Sequence, residues 1–286
     1  MANLRDLRTR IVSIKNTKQI TNAMKMVAAA KLRKSQEAVI RSRPYAEFLD
    51  KMLRIIKKKN RLNEHPMLLA PNPNGKVLLV IVTGDRGLCG SFNSNISKFT
   101  LNYMIEHPEQ EYDLLFIGRK GYDSFKRKSN NIVKVFSGNT ESDDIDTVSE
   151  IRHELTDLYY KGTYSKVVSI YNEFKSAIQQ NLVCKQILPI MPTESKQISS
   201  TEFVFEPDEN SIIDEMARRY IDIELWHIML ESNAAEQASR MTAMDNATNN
   251  ASDLINQLSL QYNRERQAQI TTEIIEVASG AEAIQQ

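Results

Sequence analysis

The sequence predicts an α/β protein in which long N- and C-terminal helices form an antiparallel coiled coil beside a central, Rossmann-like, doubly wound α/β domain. Three observations predict it. Glycine and proline are absent from residues 1–43 and 208–279, while eight of the nine glycines fall between residues 75 and 162. Both chain ends therefore lack the residues that most disfavour helix. Apolar residues recur at 3-4 spacing in the two end segments but form short continuous runs in the middle, the patterns of paired helices and of buried strands. Finally, the net charge of +1 conceals opposite ends. Residues 1–60 hold sixteen Lys/Arg and four Asp/Glu, whereas residues 208–286 hold five and fourteen. Segments of opposite sign are suited to lie side by side.

In the first segment, Leu4, Leu7, Ile11 and Ile14 begin a heptad-like seam that the apolar pattern continues through Ile20, Met24 and Val27, then Phe48, Met52 and Ile56 beyond Pro44. Pro44 predicts a kink near Arg43. In the last segment, Tyr220, Ile223, His227, Leu230, Ala234, Gln237, Met241, Met244, Thr248, Ala251, Ile255, Leu258 and Tyr262 keep 3-4 spacing and so predict left-handed supercoiling. Ala234, Ala238, Ala247 and Ala251, facing Ala23, Ala28, Ala29 and Ala30 in some register, would let two backbones approach closely. Asp208 after Pro207 reads as an N-cap, with Ser211 a second candidate. At about 1.5 Å per residue the final helix would extend roughly 110 Å and the first about 80 Å.

The middle of the chain reads as strands at 76–83, 112–118, 132–136, 166–171 and 185–190, with helices near 93–107, 119–128 and 145–161. Strands alternating with helices predict a mostly parallel sheet. The organisation is therefore a shaft helix over 1–59, a Pro-containing linker over 60–74, the α/β domain over 75–206 and a second shaft helix over 207–286.

Function classes narrow by chemistry. No stretch approaches the roughly 20 apolar residues of a membrane span, and the chain begins without the apolar core of a secretory signal. Cys89 and Cys184 stand far apart, outside any metal-ligand or redox spacing, and read as buried free thiols in a reducing, cytoplasmic setting. The loop Gly84-Asp-Arg-Gly-Leu-Cys-Gly90 follows the first strand but matches neither nucleotide-binding glycine pattern. It reads as a tight strand-to-helix turn held by an Asp–Arg contact. The four histidines are isolated, and His227 falls on the seam as a packing residue. The acidic run Glu141–Asp146 reads as a solvated helix start.

Several motifs then carry a resemblance. Ile14-Lys-Asn-Thr-Lys-Gln-Ile-Thr-Asn-Ala-Met-Lys-Met-Val-Ala-Ala-Ala-Lys31, Ser42-Arg-Pro-Tyr45, Asp85-Arg-Gly-Leu-Cys-Gly90, Glu236-Gln-Ala-Ser-Arg-Met-Thr-Ala-Met244 and the run from Tyr262 to Ala281 closely resemble the gamma subunits of F-type ATP synthases. The likeness spans the chain. It implies a non-catalytic rotor without its own cofactor, turned by an ion-driven c-ring and forcing the beta sites of an alpha3-beta3 ring through successive conformations. Nucleotide and magnesium would be bound by those partners. Met24, Lys25, Arg240, Gln267 and Thr271 resemble the family's contacts to the alpha and beta loops. Ile270, Ile274, Ile275 and Val277 would form a tip turning in an apolar sleeve. Phe203, Phe205 and Glu206 occupy the place of the contacts to the c-ring and the epsilon subunit.

Lys25 departs from the family, in which many members carry an acid or another polar residue there. The absence of a cysteine-bearing insert and of a transit peptide implies a bacterial form, peripheral on the cytoplasmic face of the inner membrane and touching the membrane only through the c-ring. Two other classes remain open from the residues alone. One is a coiled-coil nucleic-acid-binding protein using the basic first helix, although that helix lacks stacking aromatics before Tyr45. The other is a phosphate-handling α/β enzyme built on residues 75–206.

Overall fold

The computed structural model describes residues 4–58, 67–69, 72–128, 131–138, 145–176, 179–191 and 209–284. The predicted elements are present, in the order α1 (Leu4–Lys58), β1 (Lys76–Val82), α2 (Phe92–Glu106), β2 (Tyr112–Ile117), α3 (Arg119–Phe125), β3 (Ile132–Phe136), α4 (Ile145–Tyr160), β4 (Tyr164–Phe174), β5 (Gln180–Leu188) and α5 (Glu209–Ile284). They form two compact units, one of residues 28–240 and one of residues 1–27 with 241–286.

In the larger unit a five-stranded sheet has the order β3-β2-β1-β4-β5. The first four strands are parallel, and β5 returns antiparallel to β4. The central strands β1 and β2 are covered on both faces, which explains their apolar runs Val77–Val82 and Leu114–Ile117. One face of the sheet shares a core with α4 and α5, where Val80, Leu115 and Val167 join Ile151, Leu155, Ile221 and Leu225. The other packs Leu79, Ile81 and Phe116 with Phe92 and Ile96 of α2 and Phe125 of α3. This double covering fits the doubly wound reading. Strands β4 and β5 are longer than their apolar cores predicted. Their polar ends, such as Asn172-Glu173 and Gln180-Asn181, pair across a hairpin closed by the Ser176 amide donating to the Gln179 carbonyl. Hairpin pairing needs no apolar side chains.

The first helix is continuous, as read: α1 runs through Pro44. Pro44 and Ile40 one turn earlier are both exposed, so water can hydrate the carbonyl that loses its helical partner. Of the apolar series read beyond Ile14, Met24 and Met52 are half-buried, but Ile20, Val27 and Phe48 are 60%, 56% and 56% exposed, and the side chain of Ile56 lies outside those described. Leu7, Thr21, Ala28, Leu32, Ser35, Val39, Ser42 and Leu49 are buried instead, preserving the 3-4 phase with small and hydroxyl residues. Cys89 is buried but Cys184 is exposed on the edge strand β5. The α5 seam is as predicted, with every named position from Tyr220 to Tyr262 buried or half-buried. Ser211 lies inside α5 rather than capping it. Asp208 and residues 141–144 fall outside the described residues. Among those described, no helix is long and apolar enough to cross a membrane.

Candidate functional site

In the smaller unit the Thr248 hydroxyl donates to Thr21 Oγ1 over 2.8 Å, and Lys25 Nζ donates to Asp245 Oδ1 over 2.6 Å. Stepping forward along α1 moves backward along α5, so the pair is antiparallel as predicted. Lys25 and Asp245 side chains are 39% and 44% exposed, and a pair so open to water contributes only a few tenths to about 1 kcal/mol. Its value is in fixing register between seams rich in small residues. Met24 is half-buried beside it.

The same register places Leu4, where α1 begins, level with about residue 265 of α5. From residue 266 to 280 every position of α5 is exposed. Gln267, Thr271 and the apolar Ile270, Ile274, Ile275 and Val277 all belong to this stretch, the last three 58–73% exposed. Thr271 bonds only back to the Gln267 carbonyl among its described contacts. A helix carrying such side chains in water exposes them at a cost unless another surface covers them.

Arg240 sits differently. Its guanidinium is 9% exposed, pairs with the Glu236 carboxylate one turn earlier, and donates to the Gly87 carbonyl over 3.2 Å. This meeting lies beyond the carboxyl ends of β1 and β4, where the strand order reverses because α4 carries the chain from β3 back past β1. In doubly wound sheets that crevice is the usual place for a ligand. Here α5 fills it. A Cβ on Gly84 would come within 2.6 Å of the Glu236 carboxylate. The Phe174 amide, ending β4, donates to Glu231 Oε2 over 2.9 Å, and Gln180 Nε2 donates to the Ala235 carbonyl and to Ser239 Oγ.

The 84–90 loop is built to meet this helix. Asp85 accepts from the backbone amides of Arg119 and Gly138, so its two oxygens tie the loop to α3 and to the end of β3. Asn93 at the start of α2 accepts from the Gly84 amide and donates to Cys89 Sγ. Burial and the nearby Glu236 charge push the Cys89 thiol pKa up, which keeps it a neutral packing group at ordinary pH. Leu88 takes a φ of 61° and leaves its side chain 63% exposed.

Sequence reasoning singled out Arg240 and the loop but not the residues that join them. The Glu236-x-x-x-Arg240 spacing, an acid and a base one turn apart in a run of small and uncharged residues, is the readable signal. Phe203, Phe205 and Glu206 lie outside the described residues. The remaining named positions group into Met24 with Lys25 on α1, Arg240 in the crevice, and the exposed end of α5.

Comparison with known proteins identifies the architecture. The profile of the ATP synthase family matches residues 3–284. An ATP synthase gamma chain from Prosthecochloris aestuarii is 45% identical over 290 residues, covering 100% of this chain and 99% of its own. The chain belongs to the ATP synthase gamma-chain family. The Chlorobaculum parvum gamma chain is 43% identical, with both chains covered completely. Among solved structures, the central stalk and c-ring of Tetrahymena thermophila mitochondrial ATP synthase includes a chain 26% identical to this one, with a TM-score of 0.64 and coverage of 80% of this chain and 99% of that one. A Euglena gracilis mitochondrial ATP synthase chain gives a TM-score of 0.69 at 17% identity, covering 98% of this chain and 94% of its own, a likeness of fold.

Proposed function

We propose that the chain is the central-stalk rotor subunit of a bacterial F-type ATP synthase. It passes c-ring rotation, driven by protons or sodium ions, to the catalytic beta subunits for ATP synthesis, and works in reverse during hydrolysis. In this reading it is non-catalytic and needs no cofactor. It works at the cytoplasmic face of the inner membrane, which it meets only through the c-ring. Residues 1–59 and 207–286 form the shaft, and 75–206, after the 60–74 linker, form the α/β domain.

The observation that carries the reading is the last stretch of α5, residues 266–280, exposed on every side in a chain that aligns end to end with gamma chains. An apolar helix end with no partner of its own is suited to a sleeve supplied by other subunits. Ile270, Ile274, Ile275 and Val277 would turn inside that sleeve. Gln267 and Thr271 would meet alpha and beta loops with their polar ends, together with Met24, Lys25 and Arg240. Phe203, Phe205 and Glu206 would face the c-ring and epsilon. Each positive charge crossing 100 mV contributes about 2.3 kcal/mol, so the shaft must carry the sum of several crossings in each nucleotide step. Long helices with a packed seam and no glycine before residue 280 suit that load.

Co-purification tests the assignment. The tagged chain should come out with two larger nucleotide-binding subunits, one copy to three of each, and ATP-driven ion pumping should vanish from vesicles reconstituted without it. Pumping that persists in its absence would end the rotor reading.

A further inference from the structure

The rotor reading leaves open how α5 is held to the α/β domain, and the switch-point crevice offers an answer. A helix seated only on apolar side chains can turn or slide, because dispersion and burial are indifferent to small displacements. Directional, buried polar contacts are not. Between Glu231 and Arg240, four hydrogen bonds among the described residues attach α5 to the sheet's carboxyl edge. They reach the end of β4 through Phe174, the start of β5 through Gln180 with two bonds, and the loop after β1 through Gly87. Glu236 and Arg240 side chains are 6% and 9% exposed, so water competes little for either. Removing one would leave the other charge buried and unmatched. Gly84 completes the seat: a Cβ there would meet the Glu236 carboxylate at 2.6 Å and displace it from its present position.

We infer that Glu236 is a positioning residue that holds Arg240 against the 84–90 loop, and that this pair latches α5 into the crevice so that helix and α/β domain turn together under torque. The inference rests on the rotor reading. It assigns Arg240 an internal duty alongside any contact with partner subunits, and gives Gly84 and Glu236 a shared one. An α5 released from this seat would still fold against the sheet through its apolar face, but would yield when loaded.

The test uses the whole complex in sealed vesicles, measuring ions pumped per ATP hydrolysed alongside hydrolysis itself. Glu236→Gln removes the charge opposite Arg240, and Gly84→Ala pushes the carboxylate from its seat without touching α5. Both should assemble, keep ATP hydrolysis, and lower the pumping ratio by roughly 2- to 30-fold, the range of coupling changes seen along such networks. Gly84→Ala placed on Glu236→Ala should add little, because the group it displaces is already gone. A merely structural effect would instead lower assembly and hydrolysis together and add across the two sites. An unchanged pumping ratio in assembled Glu236→Gln and Gly84→Ala complexes would overturn the latch while leaving the rotor reading standing. Should those two variants fail to assemble, Glu236→Asp decides, since it keeps the charge but draws the carboxylate back from Arg240; a normal ratio there refutes the latch, and a lowered one supports it. Pumping by vesicles lacking the chain would instead refute the rotor reading itself.

Discussion

Gly118 shows how little space the carboxyl edge of the sheet allows a single residue. Its φ is +103°, and a Cβ there would fall 1.9 Å from the Thr83 carbonyl oxygen. Thr83 in turn uses its hydroxyl to accept from the Gly121 amide, so neither neighbour can retreat cheaply. Gly118→Ala should therefore cost about 2–4 kcal/mol of stability through strain and displaced backbone, read as a lowered urea midpoint of the isolated chain. Buried phenols set a second residue-scale expectation. Tyr103 is pushed up to about 12, first by burial and then by the neighbouring Cys184, while burial raises Tyr159, Tyr164 and Tyr171 further. A group whose folded pKa lies above its ordinary value of 10.0 holds its proton more tightly when folded. Its contribution is complete below pH about 10 and is lost as the pH climbs through the folded value. Thermal stability should thus be insensitive to these groups from pH 7 to 9 and fall above 10, and Tyr171→Phe should make that alkaline fall shallower. A slope identical in the variant would show that Tyr171 does not contribute to it. The glycine-rich loop was legible as a turn because glycine and aspartate have few other uses at a strand end. That Asp85 serves the amides of Arg119 and Gly138 was not, since those partners are 34 and 53 residues away.

Elements were legible where hydropathy and packing coincide. The strands β1 and β2 are buried on both sides, so burial shows as an unbroken apolar run, and their bounds in the structure match the sequence reading closely. The seam of α5 was readable for the same reason. The seam of α1 was not. Its phase holds at seven-residue steps through Leu7, Ile14, Thr21, Ala28, Ser35, Ser42 and Leu49, but four of those positions carry residues that hydropathy passes over. The apolar Ile20 and Val27, one position earlier, drew the reading off the seam while facing water. The close approach that small seam residues permit has a testable cost. Ser35 is 4% exposed, and Ser35→Leu should destabilise the chain by about 1–3 kcal/mol through overpacking. Ile20→Lys, at an exposed site, should change stability by no more than about 0.5 kcal/mol. Thermal unfolding of the two variants discriminates the seams, and the reverse ranking would restore the hydropathy-based one.

Across the whole molecule, burial is distributed unequally between the two units. Residues 28–240 enclose apolar cores on both faces of a sheet. In the unit formed by residues 1–27 and 241–286, the buried side chains among the described residues are Leu7, Thr21, Met244 and Ala251. This seam, the Thr21–Thr248 bond and the Lys25–Asp245 pair join the two helices, and marginal helices depend on tertiary packing for their stability. The opposite charges of the chain ends, legible from composition, help bring the helices together but are screened at physiological salt. In the isolated chain, amide hydrogens of residues 4–27 and 241–265 should therefore exchange at least roughly tenfold faster than those of β1, β2 and β4, and residues 266–280 should exchange fastest of all because their helix has no packed face. Assembly with the subunits that cover the end of α5 should reverse the order there, giving residues 266–280 protection comparable to the sheet. Hydrogen exchange with mass-spectrometric readout on the free chain and on the complex measures both. If residues 266–280 are already protected in the free chain, the helix end is stable unaided. If they stay unprotected in the complex, no sleeve encloses them, and the apolar side chains of Ile270, Ile274, Ile275 and Val277 need another explanation.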